Sequence, residues 1–249
     1  MSITLPTTPV ALDREFAPIS EQELESGWQR AIARMSGRVH RWHQLTQRAV
    51  VIVGESGSGK TAEIAMRAAD LRALGQQAFA FRLADVAAGT QEQVIGRDWE
   101  AFEAWLDSGD EAIFLLDGLD EAKAASDTVE RILNTLTSWM PMACSRLRLV
   151  ISVRPSEWEP EADLRRVREA LSAWAPDRTT DSDVLVVSLL PLDIDRARRY
   201  ARALGVLDDE LFAERAHLDG LEEFMERPLD VAWLASRWKA DRRFGPCGR

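Results

Sequence analysis

The 249 residues, 46% of them apolar and 29% charged, suffice for one large core or for one domain with an appendage. With no run of about 18 apolar residues, and no basic start ahead of an apolar block in "MSITLPTTPVALDREFAPIS", the chain reads as neither membrane-spanning nor led by a signal peptide. Its net charge of −10 argues against a general nucleic-acid coat, because the phosphate backbone would be repelled. The most basic stretch, "DLRRVRE" with Arg165, Arg166 and Arg168, reads as a solvated helix face. Cys144 and Cys247 read as two free thiols of a cytoplasmic protein, and His40, His43 and His217 lack metal-ligand spacing.

Residues 1–46 read as an N-terminal extension. Its first twenty residues, rich in Thr and Pro, are expected to be poorly ordered. Ser20 and Glu23 form a capping-box pattern, followed by a helical stripe of Leu24, Trp28, Ile32 and Met35. Residues 47–190 read as an α/β core. "AVVIVG" is an unbroken apolar run, as in a parallel strand buried on both faces. A glycine-rich loop follows, then a helix from about Lys60 to Leu74 stopped by Gly75. "QAFAFRL" is the second strand. "QEQVIGRDWEAFEAWLDSG" reads as a helical crossover with Trp99, Phe102, Trp105 and Leu106 on its apolar side. "AIFLLDGLDE" is a third strand ending in acids, "LRLVISVRP" a fourth and "DVLVVSLLPL" a fifth, with helical segments between them. Such alternation predicts a mostly parallel sheet with helices on both faces. From about Pro191 the pattern is helical only, with Ile194, Ala197, Ala201 and Leu204 on one side of the first helix. Residues 191–249 are read as a helical lid. Leu229, Val231, Ala232, Trp233, Leu234 and Trp238 exceed what one lid helix needs for its own packing, so they either pack on the sheet domain or await a missing neighbour.

The loop Gly54-Glu55-Ser56-Gly57-Ser58-Gly59-Lys60-Thr61 matches a Walker A sequence. Glycines let backbone N–H groups turn toward phosphate oxygens, and the next helix offers its N-terminus. Lys60 is expected to reach the β- and γ-phosphates, and Thr61 to ligate Mg²⁺. Asp117 ends the acidic strand, where a doubly wound sheet opens its ligand crevice, and is a second Mg²⁺ candidate. Asp120 and Glu121 lie close enough to orient or deprotonate a water for in-line attack. Arg154, just past the fourth strand, is expected near the γ-phosphate if that strand lies between the loop strand and the acidic strand.

Taken together, "VVIVGESGSGKT", "IFLLDGLDEA", "LRLVISVRP" and the later "RPLDVAWL" resemble the NACHT branch of the STAND nucleoside triphosphatases over about residues 47–240. The resemblance implies a five-stranded sheet in the order 5-1-4-3-2 and a C-terminal helical lid. It implies an ATP/ADP switch using Mg²⁺, hydrolysing slowly and oligomerising on activation, with a trigger and an effector that the sequence leaves unknown. It also places Pro228 near the adenine and hints at bacterial defence signalling. A winged-helix domain and a repeat-built sensor normally follow the lid, so the chain reads as a fragment, a truncated product or a stand-alone switch. A small-molecule kinase and a nucleotide-stabilised scaffold without turnover are the competing readings. A Ras-like GTPase is disfavoured, since the sole asparagine, Asn134, lies in "LNTLTS" and not in a guanine-reading motif.

Overall fold

The computed structural model describes residues 6, 9–20, 23, 39–124, 128–175 and 183–244, with residues 87, 88, 120, 123 and 124 described by backbone alone. The expected stripe of Leu24, Trp28, Ile32 and Met35 lies outside the described residues, as does Cys247. At its start, the Ser20–Glu23 box is formed: Ser20 N–H and Oγ–H both donate to the Glu23 carboxylate, and Glu23 N–H donates back to Ser20 Oγ.

Among the described residues, six strands form one sheet in the order β1-β6-β2-β5-β4-β3. They are β1 (Phe16–Pro18), β2 (Ala49–Val53), β3 (Gln77–Arg82), β4 (Ala112–Asp117), β5 (Leu147–Val153) and β6 (Val184–Leu189). The five apolar runs take the expected order, all parallel. The sixth strand is a correction. β1 pairs antiparallel with β6, with Phe16 opposite Leu189, and it comes from the segment expected to be poorly ordered. Phe16 is fully buried and meets Trp42 edge to face at 4.8 Å between centroids. Three residues are too few for an alternation signal, and Pro18 is tolerated because the strand is at an edge.

The strands alternate between two apolar layers. Val51, Val53, Phe79, Phe81, Phe114 and Leu116 face one core; Val50, Ile52, Ala78, Leu115 and Val150 face the other. The second core is closed by Ile64, Ala68 and Leu71 of α1 (Lys60–Ala73). Gly75 follows this helix at φ +75° as its left-handed stop, with Gln76 N–H donating to Leu71 O. The first core is covered by α2 (Leu83–Ala88), α3 (Gln91–Ile95), α4 (Trp99–Asp107), α5 (Leu119–Ala124), α6 (Val129–Trp139) and α7 (Pro160–Trp174). The crossover before β4 is broken where one helix was expected. Gly96 at φ +55° turns the chain through a 3₁₀ segment, so that α4 can seat Phe102 and Trp105 fully in the core. On α7, Arg165 pairs with Glu169 on a solvated face as expected, whereas Arg166 pairs with the fully buried Asp163, so the basic stretch is only partly a solvated face. His40 bridges Phe16, and His43 sits in a 3₁₀ turn, Trp42–Gln44. Cys144 is free and buried, and burial pushes its thiol up to about 11.

After Pro191 come α8 (Ile194–Ala203), α9 (Asp209–Leu218), a 3₁₀ turn (Glu222–Met225) and α10 (Pro228–Asp241). They enclose a core of their own around Phe212, Leu234, Trp238 and Phe244, which also takes in Leu12 from the N-terminal segment. Ile194 is the exception to the expected apolar side of α8: it is exposed, and Tyr200 is buried there with Ala197, Ala201 and Leu204. Val231, Ala232, Leu234 and Trp238 of α10 are buried within this core, whereas Leu229 and Trp233 remain partly exposed. Among the described residues, no helix is long and apolar enough to cross a membrane.

Candidate functional site

β2 leads straight into the glycine loop, and α1 begins at Lys60, so free helix N–H groups face the loop. Two glycines are required sterically. Gly57 sits at φ +76°, where an added Cβ would lie 3.0 Å from Leu229 Cβ; Gly59 sits at φ +95°, 3.3 Å from both Arg14 Nη1 and Pro228 Cγ. Side chains there would run into the C-terminal helix and Arg14. Lys60 Nζ donates to the carbonyl oxygens of Gly54 and Glu55, which holds the ammonium across the loop.

The loop opens on a cleft of about 480 Å³. Ser56, Gly57, Gly59, Lys60 and Thr61 line it, opposite Asp117, Glu121 and Arg154. Gly54, Glu55 and Ser58 instead line a recess behind the loop. Sheet order explains the convergence. β5 lies between β2 and β4, so the ends of three adjacent strands deliver the loop, Arg154 and Asp117 to one edge. Leu116 pairs with Ile151, which sets Asp117 beside Ser152. The fully buried Ser152 donates its hydroxyl to Asp117 Oδ1 at 2.5 Å and accepts from Gly118 N–H at 3.0 Å. One Asp117 oxygen is thereby fixed in orientation. Asp117 and Thr61 offer hard oxygen donors on one cleft, which suits Mg²⁺. On the other side, Arg82 pairs with Asp117 in register and donates to Glu121 Oε2 at 2.7 Å. The Asp120 side chain lies outside the described residues.

A second cavity of about 210 Å³ continues from the first through Gly59, Ala62, Tyr200 and Pro228, which line both. Its remaining walls are Pro6, Pro9, Val10, Leu12, Arg14 and Glu63. Arg14, 2% exposed, donates to Ser58 O at 2.8 Å and Leu190 O at 2.5 Å, stapling the N-terminal segment to the loop and to the end of β6. Burial brings its guanidinium down to about 10, against an opposing pull from Glu63. Glu63, 5% exposed, accepts from Trp42 Nε1 at 3.2 Å. Burial raises its carboxyl above the ordinary range, while the Trp42 bond and Arg14 oppose the rise. From α8, Arg196 donates to the backbone carbonyls of Leu12 and Asp13.

Five residues of this arrangement are absent from the sequence reading: Arg14, Glu63, Arg82, Ser152 and Tyr200. Ser152 had a signal, a lone hydroxyl in an otherwise apolar strand end. The other four are brought in by tertiary contacts.

A buried parallel sheet with a Walker A loop after β2 and an acid ending a strand two places away defines a nucleotide-binding P-loop NTPase. The NACHT domain family matches residues 48–205, and the chain belongs to that family. Among curated proteins none matches the chain. Among solved structures, domain III of the Thermotoga maritima replication initiation protein DnaA is similar at 15% identity and a TM-score of 0.44, covering 81% of each chain. The ADP form of Aeropyrum pernix ORC2 is similar at 13% identity and a TM-score of 0.44, over 80% of this chain and 61% of that one. Saccharomyces cerevisiae RIF2 follows at 10% identity and 0.41, over 79% and 77%.

Proposed function

We propose that this chain is a cytoplasmic ATP-driven switch that binds ATP or ADP with Mg²⁺ and hydrolyses slowly. The observation that carries the reading is the contact between the phosphate loop and the C-terminal helices. Leu229 N–H approaches Gly57 O at 3.4 Å, and Pro228 and Leu229 close against the two left-handed glycines. A change in what the loop holds is therefore felt at once by α10, the first requirement of a nucleotide-dependent change of shape.

In this reading Lys60 and the loop N–H groups bind the phosphates, and Thr61 and Asp117 hold Mg²⁺. Ser152 keeps the Asp117 carboxylate aimed. Glu121 orients the attacking water, with Asp120 as a neighbouring acid, and Arg154 senses the γ-phosphate. Tyr200 and Pro228 line the base end. Residues 1–46 are an N-terminal extension, 47–190 the catalytic core and 191–249 the lid. Activation involves self-association, and a role in bacterial defence signalling is in keeping with this design. The Arg82–Glu121 ion pair favours one alternative, a nucleotide-stabilised scaffold without turnover, because it engages the very carboxylate that hydrolysis needs.

Binding measured beside single-turnover hydrolysis separates these readings. Glu121→Gln should bind Mg²⁺–ATP nearly normally and hydrolyse about tenfold or more slowly. Asp117→Asn should weaken Mg²⁺-dependent binding itself. A normal rate in Glu121→Gln removes Glu121 from the chemistry. A wild type that binds ATP and never turns over leaves the scaffold.

A further inference from the structure

We propose that Glu63 sets the base selectivity of this chain, its carboxylate accepting a hydrogen bond from the 6-amino group of adenine. The inference rests on the nucleotide-binding reading above and adds to it the residue that tells one purine from another.

The small cavity adjoining the phosphate cleft has mainly apolar walls, from Pro6, Pro9, Val10, Leu12, Ala62 and Pro228. Two charged groups line it, Arg14 and Glu63. Arg14 is partly engaged, since Nη1 and Nη2 donate to the carbonyls of Ser58 and Leu190, and Tyr200 adds a phenolic hydroxyl to the wall. Glu63 is half committed. Its Oε2 accepts from Trp42 Nε1, and a carboxylate has acceptor capacity on both oxygens. The anionic acceptor that this cavity offers a ligand is therefore the buried Glu63 carboxylate. Glu63 lies two residues beyond Thr61 in the first turn of α1, and its cavity shares Gly59, Ala62, Tyr200 and Pro228 with the phosphate cleft, so a nucleotide held by the loop can reach it with its base.

Purines differ in what they need from such a wall. Adenine carries one exocyclic donor, the 6-amino group, and a single acceptor satisfies it. Guanine presents a ring N–H and a 2-amino group as donors and a 6-oxo group that needs a donor. One half-used carboxylate leaves that set incompletely paired, and its oxygen faces any 6-oxo group with lone pairs against lone pairs. A site built around one buried hydrogen bond rejects analogues that cannot make it, because the buried partner is stranded.

Competition against fluorescently labelled ADP on the full chain tests this, using ATP, inosine triphosphate (6-oxo), purine riboside triphosphate (6-hydrogen) and GTP. The wild type should bind ATP about tenfold or more tightly than each of the other three. In Glu63→Gln the carboxamide either keeps its oxygen on Trp42 and turns its amino group to the base, or turns its oxygen to the base and gives up the Trp42 bond, so the preference of ATP over inosine triphosphate should fall to within about threefold. The indole N–H resonance of Trp42 should shift when ATP binds and shift less with the purine riboside analogue. A purely structural Glu63 would lower the affinity for all four nucleotides together. That result overturns the proposal, as does a wild type binding ATP and the purine riboside analogue equally, an outcome that needs no variant. No binding of any nucleotide overturns the nucleotide reading itself and this inference with it.

Discussion

The two ends of the cleft are built by different means. The phosphate end is local. Eight consecutive residues supply the loop, the helix N-terminus after them supplies free N–H groups, and adjacent strand ends supply Asp117 and Arg154. The base end is assembled from afar: Pro6, Pro9, Val10, Leu12 and Arg14, then Ala62 and Glu63, then Tyr200, then Pro228 meet there from four stretches of the chain. The chemistry explains the contrast. Phosphate oxygens are satisfied by backbone N–H groups in one conformation, which a short motif can encode. A base needs a shaped apolar wall with few polar groups, and any tertiary arrangement that provides one will serve.

The largest effect should come from the local end. Lys60→Ala removes an ammonium aimed across the loop, and a charge-assisted contact to phosphate is worth about 1.5–3 kcal/mol. ATP affinity in equilibrium titration should drop by about tenfold to a hundredfold, with little change in the thermal midpoint. An unchanged affinity in the folded variant would mean that the motif does not hold phosphate here.

The assembled end should fail differently, through the fold. Arg14→Met leaves the carbonyls of Ser58 and Leu190 without their donor and Glu63 without its nearby positive charge. Unsatisfied buried groups cost about 1–3 kcal/mol each, so unfolding should ease by about 2–4 kcal/mol, read by urea denaturation. The loss should also depend on pH. Glu63 already titrates above its ordinary value, so its favourable contribution is complete below about 4.5 and fades as pH rises through its folded value. Removing Arg14 pushes that folded value higher, so the variant's deficit should be larger at pH 7 than at pH 4.5. A deficit independent of pH would show that Arg14 does not act on Glu63.

The same contrast governs what could be read from the sequence. The five parallel strands were legible because buried strands are unbroken apolar runs, whereas their order came from the family resemblance. β1 was not, because its evidence is the burial of Phe16 against Trp42 and its pairing with Leu189, contacts made across a distance in the chain. In the site, Lys60, Thr61 and Asp117 carry their signal in spacing. Arg14 carries none, since an arginine in a Thr- and Pro-rich stretch looks solvated until its carbonyl partners are known. Glu63 was hidden for the opposite reason, as one polar residue in the first turn of an ordinary helix. Gly96 shows a limit even for local patterns: the apolar side of the crossover was right, yet the glycine broke it into two helices and a 3₁₀ turn.

The smallest expected effect compares two acids within the phosphate end. Asp117 is held by the buried hydroxyl of Ser152, whereas Glu121 is held by Arg82, with side chains 63% and 47% exposed. The pairing with Glu121 raises the Arg82 guanidinium above its usual value, and Asp117 adds to the rise. An ion pair so open to water is worth about 0.2–1 kcal/mol, so Arg82 is a weak restraint on Glu121 and not a lock. If the restraint draws the carboxylate away from the water it orients, Arg82→Ala should raise single-turnover hydrolysis by about two- to fivefold, with ATP affinity unchanged. High salt should give the wild type much of the same gain, since screening weakens an exposed pair, and should do little to the variant. A slower Arg82→Ala would reverse the assignment: Arg82 would then be positioning Glu121 for the reaction, and both acids of the cleft would be held in working geometry by a neighbouring strand.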